Sequence, residues 1–167
     1  MKSGDFQPHE VFLGLGSNVG DAQEHLRRAG DQLTACGLIL KRASSIYKTS
    51  PVDFVDQEWF LNQVLRMETS WAPERLLIQC REIETALGRV RAISKGPRTI
   101  DIDILLFDEV IFKSPELTIP HPRLAERKFV LVPLCEIAPR LLHPVLRKSM
   151  QELLDSLQGD PAVVQRL

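Results

Sequence analysis

"GPRTIDIDILLF", residues 96–107, is the stretch on which the reading of this chain turns. From Ile100 onward it is almost continuously aliphatic, which reads as a strand. Side chains alternate along a strand, so Asp101, Asp103, Leu105 and Phe107 are expected on one face. Ile100, Ile102, Ile104 and Leu106 are expected on the other. Both faces turn apolar in the second half, the pattern of an inner strand covered on both sides. Aspartate is depleted in strands, and two on one face about 6.6–6.8 Å apart repel when partly desolvated. Something positive must hold them ionised.

The segment just before the strand, "GRVRAISKGPRT", supplies Arg89, Arg91, Lys95 and Arg98 with no acid among them. Two readings are open. The cations neutralise the aspartates as structural ion pairs, or the carboxylates hold hard divalent cations. Four cations against two carboxylates leave a surplus of about two charges for an anionic ligand. Phosphates bridged by Mg²⁺ suit both groups, because Mg²⁺ takes carboxylate and phosphate oxygens and keeps several waters.

Working outward, "EVFLGLGS" (residues 10–17) predicts a strand. A capping box from Asp21 to Glu24 then opens a helix with Ala22, Leu26, Ala29 and Leu33 on one face and Gly37 as its stop. "LILKRASSIYKTS" and "EWFLNQVLRME" read as a second and a third strand. Pro73 opens a second helix, with Leu76, Leu77, Cys80, Ile83 and Leu87 on its apolar face and Gly88 as its stop. "FVLVPLCEI" reads as a strand or buried segment, and Ser149 to Glu152 caps a last short helix. Interleaved strands and helices predict an α+β fold, a ferredoxin-like α/β sandwich with a mainly antiparallel sheet. One domain is expected over residues 1–167, with its core at about 10–158.

Composition narrows the function. The net charge is −1, from 21 basic and 22 acidic residues, so anion binding must come from a local cluster. Cys36, Cys80 and Cys135 are far apart and form no CxxC pair, which suits free thiols in a reducing cytosol. The polar, proline-broken N-terminus does not read as a signal peptide, and no apolar run approaches the roughly 20 residues that span a bilayer. The expectation is a soluble cytoplasmic protein with no nucleic-acid or membrane partner.

Several motifs are weaker. Gly14, Gly16 and Gly20 give G-x-G-x-x-x-G, not the dinucleotide fingerprint, so a tight strand-to-helix turn is the better reading. None of the four histidines pairs at metal-ligand spacing. His121 lies between two prolines, which stiffens its backbone. Phe60 and Asn62 share a strand face, so they are either core residues or an aromatic plate and an amide for a flat heterocycle.

In order along residues 10–145, "LGLGSNVGD", "SSIYKTSPV", "FLNQVL", "ALGRVR", "GPRTIDIDILLF", "LTIPHPRL" and "RKFVLVPLCEIAP" resemble the 6-hydroxymethyl-7,8-dihydropterin pyrophosphokinase family of the folate pathway. The resemblance implies transfer of the β,γ-pyrophosphate of ATP to the pterin's hydroxymethyl oxygen, with release of AMP. It implies two Mg²⁺ ions on Asp101 and Asp103, and Arg89 and Arg98 as loop arginines that engage the phosphates and support catalysis. Arg91, Thr118, His121 and Arg127 match nucleotide-contacting positions, with Ile104 beside the adenine. Thr49, Pro51, Val52, Phe60, Asn62 and Phe129 match the pterin pocket. Lys95 stands where some members carry a tryptophan over the pterin, and Asp53 where some carry a glycine. Two rivals are a palm-like nucleotidyltransferase, which would release pyrophosphate, and a non-enzymatic ligand sensor.

Overall fold

The computed structural model describes residues 7–90 and 95–167. Its first strand, β1 (His9–Ser17), is followed by α1 (Ala22–Ala35), β2 (Ile39–Ala43), β3 (Tyr47–Thr49) and β4 (Phe60–Thr69). Then come α2 (Pro73–Ala86), β5 (Asp101–Phe107) and a small hairpin of β6 (Phe112–Lys113) and β7 (Thr118–Ile119). The chain continues through α3 (Lys128–Ile137) and α4 (Met150–Ser156) to β8 (Val164–Arg166). The main sheet runs β5-β1-β4-β3-β8, with β2 also on β4, and its pairings are antiparallel.

Helices cover both faces of this sheet. Leu26, Ala29 and Leu33 of α1 and Leu76, Cys80 and Ile83 of α2 pack on Val11, Leu13, Leu15, Ile102 and Ile104. On the opposite face, α3 and α4 bring Val130, Leu131, Leu134 and Leu153 onto Phe12, Val64 and Leu105. Asp21 caps α1 by accepting the Glu24 N–H at 3.0 Å. The Glu24 carboxylate turns away to Arg27, so only half of the expected capping box forms there. In α4 both halves form, between Ser149 and Glu152. Gly37 and Gly88 take positive φ where α1 and α2 end, as helix-stop glycines do.

Four expectations need correction. First, β5 is an edge strand, not an inner one. Its outer edge is covered all the same: Ile102 N–H donates to the Glu84 carboxylate at 2.8 Å, and Leu105 O accepts from His121 N–H at 2.9 Å. Second, the β1–β5 register jumps from Phe12↔Leu106 to Leu13↔Ile104, a bulge that reverses the alternation. Phe107 therefore joins the isoleucine face, and Leu106 joins Leu105 under α3. Third, "FVLVPLCEI" is helical despite Pro133. Fourth, residues 38–50 form two strands, β2 and β3, which lie end to end along β4.

Candidate active site

Three neighbouring strands build the floor of a cleft from one face of the sheet. The register places Asp101 opposite Gly16, and Gly16 opposite Asn62. One step along, Asp103 faces Gly14 and Gly14 faces Val64. Strands lie about 4.7–4.9 Å apart, so the carboxylates of β5 and the amide of β4 stand two strands, about 10 Å, apart. Between them β1 contributes only glycine, which leaves a hollow. A Cβ added at Gly16 would meet Asn62 Oδ1 at 2.9 Å, closer than side chains pack. Gly14 and Gly16 thus belong to the strand and make room; only Gly20 lies in the expected turn.

The acidic side is already charge-compensated. Arg89 Nη1 donates to Asp101 Oδ1 at 2.5 Å, and Arg98 Nη1 donates to Asp101 Oδ2 at 2.9 Å. Arg89 also pairs with Glu84 at 2.7 Å, and its buried Nε has no acceptor among the described residues. Asp103 is in a different state. Burial at the cleft floor, reinforced by the Asp101 charge, raises its carboxyl pKa to about 7. Without a further cation, this aspartate holds its proton well above the ordinary carboxylate range.

The other side of the cleft is flat and partly apolar. Phe60, Asn62, Thr49, Pro51, Val52 and Phe129 line the same cleft as Asp101, Asp103, Arg98 and Arg127. Asn62 Nδ2 donates to Thr49 Oγ1 at 2.6 Å. The Arg98 guanidinium lies over the Phe60 ring at 5.3 Å, so one arginine touches both sides of the hollow.

Residues 12–139 match the family described as 7,8-dihydro-6-hydroxymethylpterin-pyrophosphokinase (HPPK). The chain belongs to this family. It is 42% identical over 158 residues to the 2-amino-4-hydroxy-6-hydroxymethyldihydropteridine pyrophosphokinase of Methylorubrum extorquens, covering 94% of this chain and 98% of that protein. It is 43% identical over 148 residues to the folic acid synthesis protein fol1 of Schizosaccharomyces pombe, covering 88% of this chain but 20% of that protein. The chain thus spans about a fifth of the length of that fungal relative. A Plasmodium falciparum HPPK-DHPS crystal structure with pteroate superimposes at a TM-score of 0.70 and 16% identity, covering 92% of this chain and 44% of that one. That likeness bears on the fold, which is the ferredoxin-like α/β fold of HPPK domains.

Within the HPPK fold, Ile104, Thr118 and His121 lie on β5 and on the chain that follows it. Thr118 is on β7, and the Ile104 side chain is 4% exposed in the core, which leaves its main chain on the edge strand. His121 Nδ1 accepts from Arg123 N–H at 3.1 Å. Burial, with Arg127 nearby, lowers its pKa to about 4, so the imidazole is neutral at pH 7 and keeps its proton on Nε2. Arg91 lies outside the described residues.

Three residues that support the site were not singled out from sequence. Asn18 is 6% exposed and makes four hydrogen bonds. Its backbone N–H donates to Arg98 O at 3.1 Å, and its Oδ1 accepts the Arg98 N–H at 2.9 Å. Its Nδ2 reaches Gln57 Oε1 and Glu58 O, both at 2.9 Å. One amide therefore sets the backbone of Arg98 against the loop before β4. Gln57 in turn donates to Lys95 O at 3.3 Å. Glu84 was legible, since it falls four residues after Cys80 on the apolar face of α2, where an acid needs partners. The two departures noted above also meet: Asp53 lies 3.4 Å from Lys95 and 3.4 Å from Arg123. Such exposed pairs contribute about 0–1 kcal/mol, enough to bias a loop and too little to hold it.

Proposed function

We propose that the chain transfers the β,γ-pyrophosphate of ATP to the hydroxymethyl oxygen of 6-hydroxymethyl-7,8-dihydropterin. The carrying observation is the row Asp101–Gly16–Asn62, which sets an acid-and-arginine half-site across a glycine hollow from an aromatic-and-amide half-site. The pterin lies against Phe60 and Phe129, with Asn62 and Thr49 reading its hydrogen-bonding edge and Pro51 and Val52 closing the wall. Arg127, Arg91, Thr118, His121 and the Ile104 main chain take the nucleotide. The pterin oxygen attacks the β-phosphorus, the bond to the α-phosphate oxygen breaks, AMP leaves, and the hydroxyl proton is released. Arg89 and Arg98 stabilise charge on the phosphate oxygens, and positioning supplies much of the rate.

The donor set fits Mg²⁺, and we assign two ions to Asp101 and Asp103. Among the described residues no cluster of three or more His, Cys, Asp or Glu is poised for a metal, which suits a cation that draws its other oxygens from water and phosphates. The raised pKa of Asp103 marks a carboxylate short of positive charge. When bound, Mg²⁺ neutralises phosphate charge and lowers the pKa of the attacking hydroxyl.

The chain is proposed to act as a cytoplasmic monomer on small molecules; no described helix is long and apolar enough to cross a membrane. A coupled assay with and without hydroxymethyldihydropterin tests the reaction. AMP release that requires the pterin is expected, and free pyrophosphate would overturn the proposal in favour of a nucleotidyltransferase. Within the pocket, Asn62→Ala is expected to weaken pterin binding about tenfold or more and leave ATP binding within about twofold, by calorimetry. Unchanged pterin affinity would return Asn62 to a purely structural role.

A further inference from the structure

After α4 the chain runs back along the far side of the pterin half-site and touches both of its walls. Asp160 Oδ2 accepts the Lys128 N–H at 2.7 Å, while its Oδ1 accepts the Ala162 N–H at 2.8 Å. Lys128 is the first residue of α3, and Arg127, at the cap position, makes no side-chain cap of its own. Asp160 thus caps α3 from a distant part of the chain and complements the positive end of the helix. Two residues on, Ala162 is 4% exposed, so this turn is packed into the protein.

The next residues take hold of the opposite wall. Val163 N–H donates to Ser50 Oγ at 2.9 Å, and Val163 O accepts the Ser50 N–H at 3.0 Å. β8 then pairs with β3, placing Val164 opposite Thr49. The segment is therefore joined to the backbone beside Phe129 at one end and, at the other, to the end of β3 at Thr49 and the following residues that carry Pro51 and Val52.

From this geometry we infer that residues 160–166 brace the pterin pocket, with Asp160 a positioning residue for Phe129. The inference rests on the pterin reading of this cleft. Removing the cap lets the first turn of α3 fray, and Phe129 loses its fixed distance from the wall at residues 49–52. The nucleotide side feels this only through Arg127, a long side chain that can re-aim.

The test is calorimetric binding of hydroxymethyldihydropterin, and separately of a non-hydrolysable ATP analogue with Mg²⁺, to the full chain and its variants. Each is measured at a temperature where circular dichroism shows it fully folded, so a mere loss of stability would leave pterin affinity unmoved. Asp160→Ala is expected to weaken pterin binding about five- to tenfold, the scale of a lost cap, and nucleotide binding less than about threefold. Asp160→Asn keeps one of the two acceptor bonds, is expected to lose only about two- to threefold, and serves if the alanine variant does not fold. Unchanged pterin affinity, or nucleotide affinity that falls as far as pterin affinity, overturns the brace. Asn62→Ala run alongside separates the outcomes: if neither variant loses pterin the pocket reading has failed, and if Asn62→Ala alone loses pterin only the brace has failed.

Discussion

Replacing Asp103 by asparagine is expected to cut pyrophosphoryl transfer about a thousandfold or more while leaving the protein folded. Asparagine has the shape of a protonated aspartate, the form this residue keeps to unusually high pH in the free protein, where burial and the Asp101 charge raise its pKa to about 7. The stability consequence has a definite sign. A carboxyl group whose folded pKa lies above its ordinary value of 3.8 binds a proton more tightly in the folded state. Its contribution is complete below about pH 4 and is lost as pH rises toward 7. The asparagine variant lacks that loss. Its melting temperature, measured without metal, should therefore pull ahead of the parent's between about pH 4 and 7 and keep a constant lead above that. Near-parental AMP release in saturating Mg²⁺ would remove Asp103 from the metal-holding set, whatever the melting curves showed.

Arg98→Ala is expected to lower turnover about 10²- to 10³-fold while weakening binding of an ATP analogue less than tenfold. The asymmetry follows from where the arginine is held. Asn18 fixes its backbone through two hydrogen bonds, Asp101 holds one guanidinium nitrogen, and the Phe60 ring underlies the guanidinium. A cation so placed, between the acids and the aromatic plate, is suited to charge that builds on the transferring group. In the proposed complex, ground-state nucleotide keeps Arg127 and the other basic residues. Comparing single-turnover rates with equilibrium binding decides the matter. If affinity fell as far as the rate, Arg98 would be a ground-state binder only.

Much of this site was legible because it depends on period and charge. The alternation in "TIDIDI" placed both aspartates on one face, and the acid-free run before it supplied the arginines, Arg89 and Arg98, that meet Asp101. Phe60 and Asn62, two apart on β4, do share the cleft. What escaped depends on contacts distant in the chain. The bulge between Leu13 and Phe12 is a property of the pairing with β1, so nothing within "DILLF" announces that Phe107 changes sides. Valines and a proline drew "FVLVPLCEI" toward a strand. Yet its buried Val130, Leu131, Leu134 and Ile137 follow a helical spacing, and Pro133 removes only the donor to the Phe129 carbonyl. The glycines of "GLGS" read as a turn because their spacing missed the dinucleotide fingerprint, when Gly14 and Gly16 lie within β1 and leave space between two strands.

The expected conflict between ion-paired aspartates and a phosphate site also dissolves. Asp101 serves as the internal counterion of Arg89 and Arg98 until a ligand arrives. If a dication takes that seat, the two guanidinium groups are released toward phosphate oxygens, and binding becomes an exchange of counterions in place of a fresh burial of charge. At Asp101 and its two arginines no charge need be left uncompensated at any stage, which spares the several kcal/mol that a naked buried ion would cost. The free protein is, in this sense, already charged for a phosphate ligand.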